Sequence, residues 1–421
     1  MKIAVVGAGI SGLVCAYLLA ADHAVTLFER EPRLGGHTNT ARVEHEGRTV
    51  AVDTGFIVFN DRNYPNFCRL LDRLRVASRE TTMSFSVRDD STGFEFGGSS
   101  AAGIVGSVSN VLRPRWWRVV RGVAQLGKQG KALLAEVSAE SSHPVTIGDL
   151  YRQRRFSKGF LDDYLVPMAA AIWSAPRAAL MDFPAEFFLR FFDNHGMLDL
   201  RERPQWRTVE GGSDAYIRAM RETLEPIART ACGVQRIERT HDTVQVWSGA
   251  PSTSPETFDH VILATHSDQA LAMLGDPSDT ERQVLGAMPY QENETVLHTD
   301  ERLLPRKRRC WAAWNSRLSD DDQRPVAVTY NMTMLQGLET QSPLCVTLND
   351  TDAIDPAKVL ARYSYHHPLY TIDGQRARAR WPEVSSLERR THFCGAYWGN
   401  GFHEDGVVSA QRVCDAFGVA L

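Results

Sequence analysis

The feature that most constrains this chain stands at its start. Lys2 to Val6 is a short β-branched run, the pattern of a buried parallel strand, and Gly7-Ala8-Gly9-Ile10-Ser11-Gly12 follows at once. Leu13 to Ala21 then reads as an apolar helix, and Ala24 to Phe28 as a second strand ending in Glu29. A G-x-G-x-x-G run has meaning only in such a strand–turn–helix–strand setting. There each part has a physical task. Gly7 permits the tight turn, Gly9 leaves the backbone open to a pyrophosphate, and Gly12 lets helix and strand pack closely. The helix N-terminus, with Ser11 in it, offers free N–H groups and a positive dipole end to phosphates. Glu29 is placed to accept both ribose hydroxyls and disfavours a 2′-phosphate, so the pattern suits FAD or NAD rather than NADP.

The bulk properties bound the rest. A chain of 421 residues suggests two domains or one large α/β assembly. Lys plus Arg is 47 and Asp plus Glu is 51, a net charge of -4 with no global pull toward nucleic acid. Cys15, Cys68, Cys232, Cys310, Cys345, Cys394 and Cys414 are odd in number and include no C-x-x-C pair. They are expected to be scattered reduced thiols of a cytoplasmic protein, with no metal site and no disulfide framework. Met1 to Gly9 already belong to a strand and turn, so no cleavable signal is expected. The best apolar stretch, Leu165 to Trp173, is short and contains Pro167, so no spanning helix is expected.

After Glu29 the chain reads Arg30-Glu31-Pro32-Arg33-Leu34-Gly35-Gly36-His37-Thr38. Glu29 followed by this glycine pair resembles the flavin amine oxidase and phytoene desaturase superfamily, in which such a segment wraps the diphosphate of FAD. The resemblance implies FAD contacts from Glu29, Arg30, Gly35, Gly36, His37 and Thr38, although the family commonly has Arg where this chain has His37. It also implies an adenine contact at Val234 and a small-residue turn at Ala264 and Thr265, after the strand His260 to Leu263. At the C-terminal end it implies an isoalloxazine site at Gly395, Asp405, Gly406 and Val407. There a helix N-terminus would stabilise the negative charge of reduced flavin.

The segments Gly35–Thr40, Asp53–Asn60, Asn194–Leu198 and Gly401–Gly406 are similar to those of a group of predicted NAD/FAD-binding proteins. Relatives of that group form the N-terminal part of plant cyclopropane fatty acid synthases, which implies a fatty-acyl substrate by analogy. The implied fold class is α/β: a Rossmann-like FAD-binding domain of amine oxidase type, with a parallel sheet, and a discontinuous mixed α+β substrate domain. Residues 1–65, 205–275 and 385–421 are expected in the first, and 66–204 and 276–384 in the second. Gly55 and Phe56, after a strand from Arg48 to Val52, suit either a close approach to the flavin or a simple turn. Gly211-Gly212-Ser213 lies beside the flavin or merely caps a helix from Asp214 to Leu224, with Ser213 as N-cap. Ser248 to Glu256 reads as a surface loop.

The chain has no second glycine-rich nucleotide motif and no redox C-x-x-C, so the substrate itself is expected to reduce FAD. His195, His403 and Glu404 are candidates for a base that takes the second proton, with His366 and His367 behind them. Tyr164 to Trp173 and Phe187 to Met197 are rich in aromatic and small apolar residues. They point to a greasy pocket lined by Tyr164, Trp173, Phe192 and Trp398. Three functions fit: an oxidase, desaturase or isomerase of a lipid chain; an amine oxidase with Tyr397 and Trp398 in an aromatic cage; and a non-catalytic flavoprotein partner of a lipid-modifying enzyme. Residues 96–135 hold no Asp or Glu but include Arg113, Arg115, Arg118, Arg121, Lys128 and Lys131 around Trp116 and Trp117. This segment is either a peripheral membrane contact on the inner membrane face or a solvated helix face with buried indoles. The run Arg306 to Arg309 adds to it or is a loop.

Overall fold

Aliphatic runs from distant parts of the chain meet in one parallel sheet. Lys2–Val6 lies between Ala24–Phe28 and His260–Leu263, and Ala228–Arg229 and Thr391–Phe393 form the two edges. The computed structural model describes residues 1–139, 144–153, 155–198, 204–249, 254–318 and 326–421. The Ser248 to Glu256 segment therefore lies in part, at 250–253, outside the described residues. The first helix, Ile10–Leu19, starts inside the glycine motif rather than at Leu13. It is apolar almost all round because it is buried between the sheet and the C-terminal helix His403–Ala416. Gly12 sits where this helix crosses the turn, and a Cβ there would lie 1.8 Å from the Gly7 carbonyl oxygen.

A second, seven-stranded sheet runs in the order Val359–Pro368, Tyr290–His298, Cys345–Leu348, Ala327–Asn331, Trp314–Arg317, Phe85–Asp89, Phe94–Gly97. Its neighbours are antiparallel except for Trp314–Arg317 with Phe85–Asp89. Helices from residues 101–194 pack against it. Val119 of the long helix Pro114–Ala139 and Ala171 of Val166–Trp173 join the core on this sheet. Pro167 follows directly on a π-helical turn, Leu161–Leu165, inside one helical stretch from Lys158 to Trp173, and that wider turn accommodates a residue with no N–H to donate.

Asp53 ties these layers together. Its buried carboxylate accepts hydrogen bonds from the Ser213 amide and hydroxyl (2.8 Å each), from Thr40 Oγ1 (2.6 Å) and from Gln336 Nε2 (3.0 Å). Ser213 is thereby used up. It does not cap the following helix, which is split into Ala215–Ala219 and Arg221–Leu224 rather than continuous from Asp214. A further strand runs over Val244–Ser248, and the C-terminal helix begins at His403. All seven cysteines are free, and no helix among the described residues is long and apolar enough to cross a membrane.

The two ends of the chain are joined through Ser11, whose hydroxyl donates to the buried Gly406 carbonyl at 2.9 Å. Ser11→Ala removes that bond and leaves the Gly406 carbonyl with its place in the helix ladder of His403–Ala416. It is expected to lower unfolding free energy by about 0.5–1.5 kcal/mol, measured by urea denaturation.

Candidate active site

One cavity of about 1390 Å³ runs from the glycine turn, across the parallel sheet's strand ends, into the space between the seven-stranded sheet and the helices. At its nucleotide end the first helix has Gly9 as N-cap, with no capping side chain and no acid in its first turn. Its leading amides are thus free to take an anion. A Cβ on Gly9 would meet no protein atom within 4 Å, so the space against that backbone is kept open. The Glu29 carboxylate is held by the Ala8 amide (2.7 Å) and the Glu31 amide (2.8 Å), which leaves lone pairs for sugar hydroxyls. Arg30 and Arg33 also line this end. Arg33 donates to the Gly36 carbonyl (2.9 Å) and the Thr38 carbonyl (3.2 Å), placing a cation beside the glycine pair where His37 supplies none. Free amides, an anchored acid, local cations and an open backbone fit the ADP half of FAD.

Gly7, Gly9, Ser11, Glu29, Arg30, Gly35, Gly36, His37, Gly55, Phe56, Val234, Ala264, Thr265 and Gly395 all line this cavity. Other expected cofactor residues sit behind its wall. Gly12 packs on Gly7, and Val407 lies in the core between the first and last helices. Asp405 accepts from the Phe402 amide (2.9 Å) and so holds the loop before its own helix; burial raises its carboxyl to about 6. Gly406 is required by Ile10, whose Cγ2 would be 2.6 Å from a Cβ there. Thr38 Oγ1 bonds the Tyr216 hydroxyl and His403 Nε2, the latter at 2.8 Å. The close approach at Gly55 is made within the protein: a Cβ there would stand 2.1 Å from the His37 carbonyl oxygen.

The three candidate bases separate. His403 lines the cavity with its ring stacked on Phe56 at 3.5 Å, and burial holds its pKa well below the usual value. His195 lines the far chamber, stacked on Phe191 at 3.8 Å, with Nδ1 2.9 Å from the Phe191 carbonyl. Glu404 is elsewhere: its carboxylate accepts from the Asn66 and Phe67 amides (3.1 and 2.9 Å) and from Asn66 Nδ2 (2.6 Å), capping the helix Pro65–Leu74. It is a structural cap and does not line the cavity.

Of the expected pocket residues, Tyr164 lines the chamber. Trp173 and Phe192 do not; they pack into the aromatic core of the helical layer. Trp398 also falls outside the cavity, in the core beneath the parallel sheet, so only Tyr397 of the expected pair reaches it. Met168 and Ile172 of the expected stretch Tyr164 to Trp173 do wall the chamber, and His367 lies beside His37. Phe85, Trp314 and Tyr330, which local pattern did not reveal, complete the wall, and His266 and Tyr365 join His367 around His37. No group of three or more metal-ligating side chains occurs among the described residues.

The two glycines should respond differently to a methyl group. Gly9→Ala should leave unfolding free energy within about 1 kcal/mol of the parent while weakening FAD binding, because the added methyl meets only ligand space. Gly12→Ala should destabilise the fold by roughly 3 kcal/mol or more. Denaturation and FAD titration separate the two. The histidines set the pH response. Burial lowers His37, His367 and His392 to about 3 and His195, His266 and His298 to about 4. The unfolded chain binds these protons near pH 6.5, so each histidine removes up to ~1.4 kcal/mol per pH unit as pH falls from there toward 4. Asp53 and Asp405, raised by burial to about 6, oppose this only below pH 6 and are outnumbered. The Tm should therefore fall steeply between pH 6.5 and 4.5 in a calorimetric series; a flat profile would contradict the burial assigned to these rings.

Residues 10–356 match the family model described as flavin containing amine oxidoreductase. An L-amino-acid oxidase from Siganus canaliculatus is 24% identical over 328 residues, or 70% of this chain. The match covers 56% of that protein, so the chain spans about half the length of this curated relative. Among solved structures, a putrescine oxidase double mutant superimposes with a TM-score of 0.71 at 15% identity, covering 99% of each chain. A CLA-producing fatty acid isomerase from P. acnes gives 0.66 at 17% identity, covering 99% of this chain and 98% of its own. At such identities the superpositions establish the fold. The extent of the family match, together with a cavity built for FAD, places this chain in the flavin-containing amine oxidoreductase family of FAD-dependent oxidoreductases.

Proposed function

We propose that the protein acts on an apolar substrate, the fatty-acyl chain of a lipid, with FAD as the hydride acceptor: it desaturates the chain when the hydride stays on the cofactor, or isomerises it when the hydride is returned at another carbon. One observation carries this reading. The charged residues that line the cavity among the described residues are Glu29, Arg30, Glu31 and Arg33, all beside the glycine turn. The far chamber is walled by Phe85, Val119, Tyr164, Met168, Ile172, Phe191, Trp314 and Tyr330. An α-amino acid brings a carboxylate and an ammonium, and burying either without a counter-charge is costly. A hydrocarbon chain instead gains about 0.8 kcal/mol for each methylene buried there.

When bound, FAD supplies a hydride acceptor at N5. The protein's part is to hold the chain, exclude water and take the second proton. His195 is suited to the last task. Its Nδ1–H donates to the Phe191 carbonyl, so Nε2 keeps its lone pair. Burial lowers its pKa to about 4, so the ring is neutral and able to accept a proton at pH 7. His403, held through Nε2 by Thr38 and stacked on Phe56, positions the wall at the chamber's inner end. The fold admits such a substrate, since one of its members is described as a fatty acid isomerase.

The test is anaerobic titration of the yellow holoprotein, followed by visible absorbance, with unsaturated or branched lipids and with simple amines. Bleaching by lipid alone is expected of a desaturase, and a shifted double bond in the recovered lipid, with the sample still yellow, of an isomerase. Bleaching by amines alone would overturn the reading in favour of an amine oxidase, and neither bleaching nor a shifted double bond would favour a non-catalytic flavoprotein partner. His195→Phe should slow flavin reduction by roughly 100-fold or more with FAD content unchanged. In the parent, the reduction rate should fall as pH drops through about 4.

A further inference from the structure

The apolar chamber shares a side chain, Ile104, with an exposed apolar patch. Among the described residues the large apolar side chains that remain exposed include Ile104, Val108, Leu112 and Trp117, gathered between residues 104 and 117. Val108 and Leu112 are 81% exposed, which is nearly complete for side chains of this kind. Ile104 and Val108 sit on the short helices Ala101–Val105 and Val108–Val111, Leu112 on the link that follows, and Trp117 in the first turn of the long helix Pro114–Ala139. Ile104 is both exposed and part of the cavity lining, and Trp116 lines the cavity next to it, with its indole N–H donating to the Ile104 carbonyl at 2.9 Å. Trp117 packs edge-on against Trp116 at 4.8 Å. The outer patch is thus continuous, through Ile104 and the paired indoles, with the interior chamber.

The rim of this patch is cationic. Arg118, Arg121 and Lys128 are exposed on the long helix, and no Asp or Glu occurs from residue 96 to 135. Arg121 lies 6.0 Å from the Trp117 ring. A second basic segment is folded against the same place: the Arg309 carbonyl is 2.7 Å from where a Cβ of Gly103 would stand, one residue before Ile104. Of this segment's cations Arg306, Lys307 and Arg308 pair with Asp90, Glu95 and Glu301, so it is the exposed Arg309 that adds to the charge beside the patch.

We propose that this surface docks on an anionic lipid bilayer, with Val108, Leu112 and Trp117 entering the headgroup region and Ile104 with Trp116 opening the chamber toward the acyl chains. Charge decides the occupant. A second copy docked symmetrically would set these cations against themselves, and a protein partner would close this apolar route into the chamber. Anionic headgroups match the rim, and indoles and aliphatic side chains match the interface beneath them. The rim also gives a lipid's charged headgroup a place to remain outside while its chain enters. The inference deepens the fatty-acyl reading but is tested apart from it, because vesicle binding requires no turnover.

The experiment is flotation of the FAD-loaded protein with vesicles of phosphatidylcholine alone or of phosphatidylcholine mixed with phosphatidylglycerol. Binding to the mixed vesicles, weakened by added salt, is expected. Val108→Asp/Leu112→Asp and Arg118→Glu/Arg121→Glu should each weaken it by roughly tenfold or more. Leu360→Asp, at an exposed apolar site away from the patch, should leave it unchanged, and a retained flavin spectrum shows that each variant is folded. The proposal is overturned if the parent ignores anionic vesicles, or if the two paired variants bind them as well as the parent does. It is equally overturned if light scattering shows a dimer that the Val108→Asp/Leu112→Asp change dissolves while no vesicle binding is seen.

Discussion

The structure depends on a single close contact, that of Gly12 with the Gly7 carbonyl. Because no side chain intervenes, the first helix can start within the turn itself, directly above the end of the first strand. Its unsatisfied amides then face the cavity rather than protein. Everything downstream uses that origin. Glu29, on the neighbouring strand, is held by the Ala8 amide of the same turn, and the Gly35 amide bonds the Ala8 carbonyl at 2.8 Å. The segment that wraps a diphosphate is therefore built onto the turn by backbone hydrogen bonds, independent of side-chain identity.

The cavity is divided by charge. At one end the fold gathers amides, arginines and an acid, a polar surface suited to phosphates and ribose. At the other it places aromatic and aliphatic side chains from the seven-stranded sheet and the helices. The histidines between the two are half-buried, and desolvation keeps them neutral, so they add hydrogen-bonding capacity without fixed charge. A site so divided suits a charged cofactor beside an uncharged reacting group, the arrangement that the proposed hydride transfer from a hydrocarbon chain requires.

What the sequence made legible was local. The glycine turn, Glu29 and the glycine pair lie close together at the start of the chain, and their roles follow from backbone geometry that neighbouring residues dictate. The chamber was not legible in the same way. Trp173 and Tyr164 belong to one apolar stretch, yet one faces the aromatic core and the other the cavity, a choice made by how the helices pack on the distant sheet. Glu404 was recognisable as an acid at a helix start, but the helix it caps is Pro65–Leu74, which lies more than three hundred residues away in the chain. The wall around His37 depends on the pairing of Tyr290–His298 with Val359–Pro368, which sets Tyr365 and His367 beside it. Arg33 alone had a local signal, a cation just before the glycine pair.

The central claim, that the turn and its neighbours grip FAD, is tested most directly by the flavin content of the purified protein. The cofactor is released by denaturing the chain, and the supernatant is measured by visible absorbance against protein concentration. One FAD per chain is expected, or uptake to that ratio when FAD is added. A folded, colourless protein that refuses added FAD would contradict it.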